Sequence, residues 1–463
     1  MTTQQLAAYV AGSDARAIPA RVLENAKRLL LDGIGCLLAG TRGAPAAMAA
    51  RMTAHLNSGA GRSTIMVDGT RASARDAAFV NGITLYSVGV NDIHKASGSH
   101  PGGCVIPALL AVAEWQRSPG DAMLAAMIAG YDVMGRLGRA SMPAHRERGF
   151  HPTGTYGTFA ATAAVGRLLA LDPGTLASAL GIAGSQAAGL VAFQTDGSLT
   201  MVFHAGRAAQ NGVESCLLAR EGYTGPHAVL EDPHGGFLPS TAAEYRPDAL
   251  THALGEFFEV EDTTFRPFYG CTYTVAASSA THEILQRHPR RTAEDVARIV
   301  VRCHPIVEDE VGDPDPRTLL AARLSMQFNL GLVLARGDVM VGDVGDDDLW
   351  DPRVRRLFPL IAFETDDSMP PWASAVSVHY ADGTADSAQA YAPKGDPANP
   401  MTWDDTEGKF HRLVESAGGA QGLDRIVQAV RALETIDGRT LAGLIDASAR
   451  SMGAAGQERR GVA

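Results

Sequence analysis

The chain is short of the residues that build cross-linked, metal-bound or nucleic-acid-binding proteins. Only five cysteines occur in 463 residues, at positions 36, 104, 216, 271 and 303. They are odd in number, widely scattered and without a Cys-x-x-Cys pair, so a disulfide framework is excluded and reduced, buried thiols are expected. Positive charge is also scarce, with 40 Lys and Arg against 51 Asp and Glu and a formal charge of −11. Such a chain does not attract phosphate backbones, which excludes nucleic acid as a partner. The longest early apolar run, Leu29 to Ala39, is broken by Asp32, Gly33 and Gly35 and is too short to span a bilayer. Met1 to Val10 lacks a basic region followed by an apolar stretch, so no signal peptide is expected and a soluble, cytoplasmic protein is. Neither G-x-G-x-x-G nor G-x-x-x-x-G-K-[ST] is present, and Gly59-Ala-Gly-Arg-Ser-Thr64 has the wrong pattern for a phosphate cradle. H-E-x-x-H is missing as well. His94 and His100 are six apart, as are His145 and His151, a spacing that does not put two ligands on one helical face, so no metal is expected. Gly98-Ser-His-Pro-Gly102 does not fit a nucleophile elbow.

What is present is apolar and small. Hydrophobic residues make up 46% of the chain and glycine contributes 50 residues, a composition that suits close-packed helices. Val22, Ala26, Leu29, Leu30, Gly33 and Leu37 recur at helical spacing between Pro19 and Gly40. Ser73 is placed to cap a helix running to Val88. Further helices are expected over 106–116, 122–137, 153–170, 175–188 and 206–220. The pattern changes near Phe257. Ala297 to Cys303 and Ala375 to Tyr380 alternate apolar and polar residues as half-buried strands do, and Asp382-Gly383 is a hairpin turn leading to a strand over 385–391. Helices return over 406–415 and 422–448, followed by a loose tail from Gly453.

Several segments, in order, resemble the MmgE/PrpD family. They are Leu29 to Gly40; Asn91-Asp-Ile-His-Lys-Ala-Ser-Gly-Ser-His-Pro-Gly-Gly103; Gly130 to Arg139; Gly149-Phe-His-Pro-Thr-Gly-Thr-Tyr-Gly157; Phe203-His-Ala-Gly-Arg-Ala-Ala-Gln-Asn-Gly212; and Tyr391 to Pro400. The resemblance implies a mainly α protein, with a large all-helical domain formed by residues 1–257 and 397–463. An inserted α+β lid would occupy 258–396. It also implies a homodimer, no metal or organic cofactor, and a small carboxylate-bearing substrate held between helical domain and lid. Family members dehydrate 2-methylcitrate, decarboxylate cis-aconitate or epimerise iminodisuccinate.

Carried over residue by residue, the resemblance points to His100 and His151, each followed by proline, as groups that move a proton near neutral pH. His204 reads as structural, because its helix should pack in the core. The family loop Asp-Phe-Asp-Asp-Thr is here Gly89-Val-Asn-Asp-Ile93, so only Asp92 remains of its acids. Where a lysine is common before His204, this chain has Met201 and Val202. Arg266-Pro-Phe-Tyr-Gly-Cys-Thr-Tyr273 replaces the usual Lys-Pro-Tyr segment, with Tyr273 near an expected histidine. Arg266 is the candidate carboxylate holder, Lys95 a substitute cation, Tyr269 and Tyr273 hydrogen-bond or proton donors, and Met201 an apolar wall. Arg136 and Arg207 are further cations available to an anionic ligand. The expected activity is that of a cofactor-independent lyase, a dehydratase or decarboxylase. The lost lysine and acids keep open an isomerase, epimerase or cyclase on a less anionic metabolite, and a catalytically inactive homologue.

Overall fold

The computed structural model describes residues 1–56, 61–337, 344–419 and 421–460, with backbone alone at 320 and 453–460. The Gly59 to Thr64 stretch therefore begins outside the described residues, as does the end of the tail, 461–463. The chain is mainly helical and divides into two compact units. One is Met1–Thr264 with Trp403–Ala463, and the other is the continuous Phe265–Thr402. Residues 258–264 lie with the helical unit, because buried Glu259 is tied there by Asp132, His94 and Arg139.

The helical unit is built on α1 (Ala20–Gly40), α2 (Ala74–Ser87), α3 (Pro101–Gln116), α4 (Gly120–Ser141), α5 (Pro152–Leu168), α6 (Pro173–Gly184) and α7 (Thr200–Arg220). Ser73 caps α2 by accepting the Asp76 N–H, as its position predicts. Five of these helices begin earlier than the apolar spacing suggested, at 101, 120, 152, 173 and 200. α3, α5 and α6 each start at a proline, 101, 152 or 173, a residue that fits the first turn because its missing N–H has no partner there. The glycines that follow read locally as breakers, and tertiary packing overrides them. α7 crosses α2 at a glycine pair: a Cβ on Gly82 would lie 2.7 Å from Gly206 Cα, so the two backbones touch.

The chain re-enters the helical unit as α10 (Trp403–Ser416), α11 (Leu423–Arg431) and α12 (Gly438–Arg460), numbered after two helices of the other unit. The single helix expected over 422–448 is broken at Ala432 to Asp437. There the backbone bonds back to the start of α4, Gly120 N–H to Ile436 O and Gly438 N–H to Ser118 O, and Asp437 caps the next helix through Thr440 N–H. Residues 453–460 continue α12, which corrects the expected loose tail as far as Arg460. Lys409 on α10 is wholly buried, 2.5 Å from Asp32 on α1, and donates to Val90 O.

The smaller unit contains a four-stranded sheet. In chain order its strands are β3 (Val296–Cys303), β4 (Ile361–Thr365), β5 (Ser374–Tyr380) and β6 (Ala385–Ala390), numbered after two of the short strands of the helical unit, β1 (Ile93–His94) and β2 (Thr263–Thr264). The spatial order is β4-β3-β5-β6. β3 runs parallel to β4 and antiparallel to β5, and β5 and β6 form the expected hairpin. Ile299, Val301 and Cys303 of β3 and Val376 and Val378 of β5 face a core completed by α8 (Thr272–Arg287) and α9 (Met326–Arg336) through Ala277, Ala280, Ile284, Leu330 and Leu334. Among the described residues no helix is long and apolar enough to cross a membrane. None of the five cysteines is in a disulfide, and four are buried.

Candidate active site

The Asp92–His100 loop is held at both ends. β1 pairs antiparallel with β2, Ile93 opposite Thr264 and His94 opposite Thr263. The buried His94 ring bonds to Ser97 Oγ through Nδ1 and to Glu259 Oε2 through Nε2, both at 2.9 Å. Arg139 grips Glu259 and also pairs with Asp262. Burial alone would raise the Glu259 carboxyl, but the His94 and Arg139 contacts outweigh it and hold the group below its ordinary range. His94, Glu259 and Asp262 bring three potential metal-ligand atoms within 4.8 Å of one another. Because the Arg139 guanidinium already bonds both carboxylates, the cluster is an ion-pair network that fastens the loop.

The loop then delivers His100 to the N-terminal cap of α3, with Pro101 as the first helical residue. Asp92 is buried under that helix start. Its carboxylate accepts the Gly102 N–H at 3.1 Å and the Tyr131 hydroxyl at 2.7 Å. A Cβ at position 102 would lie 2.7 Å from Asp92 Oδ1, so a larger residue there would displace the carboxylate. Burial pushes the Asp92 carboxyl up to about 6, even against these hydrogen bonds. The backbone carbonyl of Asp92 lies 2.6 Å from His100 Nδ1. A carbonyl can only accept, so neutral His100 carries its proton on Nδ1 and its basic lone pair on Nε2. The ring of Tyr86 packs edge-on to His100 at 5.2 Å.

His151 repeats the arrangement at the cap of α5. Its N–H bonds to Gly189 O at 2.9 Å. The two helix starts are joined, His100 N–H to Thr153 Oγ1 at 3.3 Å and Cys104 Sγ to Thr153 O. The His151 ring is buried, with Nδ1 2.9 Å from Nδ1 of His204 on α7 and Phe193 edge-on at 4.9 Å. Burial holds His151 neutral, and positive charge on His204, His100, Arg146 or His145 would disfavour its protonation further. His204 is half-buried and is lowered for the first of these reasons. His145, six residues before His151, is structural: it bonds Thr241 and Thr155, and burial lowers it to about 3. Met201 is buried on α7, three residues before His204 and on the same side of the helix.

Of the other expected cations, Arg136 is buried and bonded to the carbonyls of His252 and Phe257, which removes it from the candidates for an anionic ligand. Arg207 bonds Gln210 and lies over the Phe203 ring. Lys95 is half-buried in the short turn Lys95–Ser97, closed by left-handed Gly98. In the α+β unit, Arg266, Tyr269 and Tyr273 share the segment entering α8. Arg266 is buried and donates to Gly270 O at 3.3 Å. Tyr269 donates to Leu319 O, and burial pushes its hydroxyl up to about 12. Tyr273 stacks on Trp372, with centroids 4.6 Å apart. The helical unit thus brings Asp92, His100 and His151 together, while Arg266, Tyr269 and Tyr273 form a second group.

Residues 4–248 match the MmgE/PrpD N-terminal domain and residues 268–435 the MmgE/PrpD C-terminal domain. The chain belongs to the MmgE/PrpD family. It is 31% identical over 461 residues to the cis-aconitate decarboxylase-like protein oryM of Aspergillus oryzae, covering 94% of each chain. It is 27% identical to the cis-aconitate decarboxylases of Aspergillus terreus and Homo sapiens, covering 90% of both chains in the first case and 94% and 92% in the second.

Within this MmgE/PrpD chain, sequence reading missed the neighbours that give the histidines their properties. Tyr86, Phe193 and Glu259 lie in no recognisable motif, and Tyr131 and Thr153 fall inside motif segments that do not show what they touch. His204 stood out only as part of Phe203-His-Ala-Gly, and nothing in that segment shows that it meets a ring 53 positions earlier.

Proposed function

We propose that this protein is a cofactor-independent lyase that removes carbon dioxide from a small unsaturated carboxylic acid, using the histidines at the starts of α3 and α5 to manage the proton. Its family and its named relatives make it an enzyme of the lyase type acting on a small molecule. The observation that carries the chemistry is the pairing of His100 and His151 at two joined helix starts, each ring fixed through Nδ1.

The reaction needs no redox partner. The bond between the departing carboxylate and its carbon breaks, and its electron pair moves into the adjacent conjugated acid. A histidine Nε2–H then delivers the proton that completes the product. The positive ends of two helix dipoles favour a carboxylate nearby and the negative charge that develops on the remaining one. Asp92 serves by setting the α3 start and, through its carbonyl, the His100 tautomer. Lys95, on the loop that delivers His100, is the proposed cation of this site; in the smaller unit Arg266, Tyr269 and Tyr273 are a separate group, a guanidinium fork and two hydroxyls suited to a carboxylate. The helical unit is the proposed subunit contact of a homodimer.

Purified protein incubated with a panel of unsaturated di- and tricarboxylic acids, cis-aconitate first, is expected to give a product lighter by carbon dioxide. Loss of water instead would make it a dehydratase. An isomeric product of unchanged mass would replace the lyase reading with an isomerase or cyclase, the reading that apolar Met201 and Val202 favour by weakening attraction for a highly charged acid.

A further inference from the structure

Deepening this reading and resting on it, we propose that His204 is a positioning residue for His151 that also passes protons from water, so that the two imidazoles act as one relay. Four observations converge on the pair. The Nδ1 atoms are 2.9 Å apart, so one ring donates and the other accepts. His151 is buried while His204 is half-buried, which orders the pair from inside to outside. Phe193 sits edge-on to both rings, at 4.9 and 5.9 Å, and excludes side-chain partners from that face. Two glycines let backbone close against His204: a Cβ at Gly154 would lie 3.2 Å from its Cβ, and one at Gly189 would lie 3.4 Å from its Nδ1.

The consequence lies in which nitrogen remains. With both Nδ1 atoms committed to each other, each ring exchanges protons elsewhere only through Nε2. Before turnover, His204 carries its proton on Nδ1 and His151 carries its proton on Nε2. As carbon dioxide leaves, the His151 Nε2–H bond breaks and the proton joins the substrate carbon. His151 Nδ1 takes the proton from His204 Nδ1, and His204 Nε2 takes one from water or hydronium. Each ring ends neutral with its tautomer exchanged; after the product leaves, His151 Nε2 takes a proton from water entering the site, His151 Nδ1 returns its proton to His204 Nδ1, and His204 Nε2 releases one to solvent, which resets the pair. A buried histidine thereby donates a proton without ever holding the positive charge that its surroundings disfavour. His100 lacks this option, since a carbonyl neither gives nor receives a proton.

The test uses the full-length protein with His204→Ala and His204→Asn. In protein labelled with 15N-histidine, a hydrogen-bonded Nδ1 proton shared by two imidazoles is expected in the wild type and lost in His204→Ala. Its absence from the wild type overturns the pair, whatever the substrate. On an acid that the wild type converts, His204→Ala is expected to lose about 10–10²-fold in kcat, the scale for losing an orienting partner, with KM little changed. Added imidazole should restore part of the rate. His204→Asn restores a hydrogen-bond partner but cannot pass a proton, so it should remain slow. Full activity in His204→Asn with a slow His204→Ala would overturn the relay, and wild-type rates in both would overturn the whole proposal. If the wild type converts no acid, the proposed lyase activity fails while the labelled spectrum still decides the pair.

Discussion

His100 and His151 occupy the same local position and differ in what lies behind them. Each precedes a proline, caps a long buried helix and is anchored through Nδ1. Behind His100 is the carbonyl of Asp92, which fixes one tautomer permanently. Behind His151 is His204, which allows either. One sequence signature thus yields two chemical devices, and the difference is set by contacts 8 and 53 residues away in the chain. Identity at a motif specifies backbone placement, while the second neighbour specifies what the ring can do.

The strongest way to break this comparison is to remove each ring. His100→Ala and His151→Ala are each expected to cut turnover by about 10²–10⁴-fold with the fold intact, as for loss of a general acid or base. Near-wild-type rates in both, with unchanged melting, would show that neither device does the chemistry. The support behind His100 comes next. Asp92→Ala strands the Gly102 N–H and the Tyr131 hydroxyl, so stability should fall by about 1–3 kcal/mol and turnover should fall with it. Asp92→Asn, which keeps one acceptor oxygen, should do less harm. Equal urea midpoints for Asp92→Ala and wild type would mean that the carboxylate does not hold the helix start.

A smaller effect separates buried acids from buried bases. Burial raises Asp132 to about 7 and Asp92 to about 6. A raised carboxyl contributes stability that is full below about pH 4 and is lost as pH rises through its folded value. Buried His145, lowered to about 3, has the opposite sign: its contribution is present above about pH 6.5 and is lost as pH falls towards 3. Asp132→Asn, compared with wild type by urea unfolding, should therefore gain relative stability between pH 4 and pH 8. A difference that does not vary with pH would place the Asp132 titration elsewhere. The smallest expected change is at Met201. Met201→Lys, beside His204, should lower KM for di- and tricarboxylates several-fold, on the scale of one screened charge contact. An unchanged KM for every acid would remove Met201 from the substrate wall.

Much of the fold was legible in the sequence because its signals are local. Ser73 marked a helix start, the alternation from Ala297 to Cys303 marked a strand, and Asp382-Gly383 marked the hairpin. Errors arose where distant contacts override local preference. The glycines after Pro101 and Pro152 sit where the Asp92 carboxylate, the Tyr86 ring and the Ala188 backbone press close, and the break before Gly438 bonds the start of α4. Of the candidate site, His100 and His151 stood out in the sequence as the histidines of two His-Pro pairs, and both prove to be the residues that precede a helix start. The site was not legible at Arg136, a cation in sequence that is consumed by carbonyls in space, or at His204.

The buried Lys409 has a consequence for how the protein is made. Its ammonium neutralises Asp32 and holds Val90 O, two residues before Asp92, across 319 positions of chain. During synthesis the loop bearing His100 leaves the ribosome early, yet its brace arrives only after the whole of Phe265–Thr402 has been translated. Until then the nascent helical unit lacks the Lys409 brace and the helices that cover its apolar faces, so the smaller unit has time to form first as an independent body. Expressed alone, residues 1–264 should aggregate.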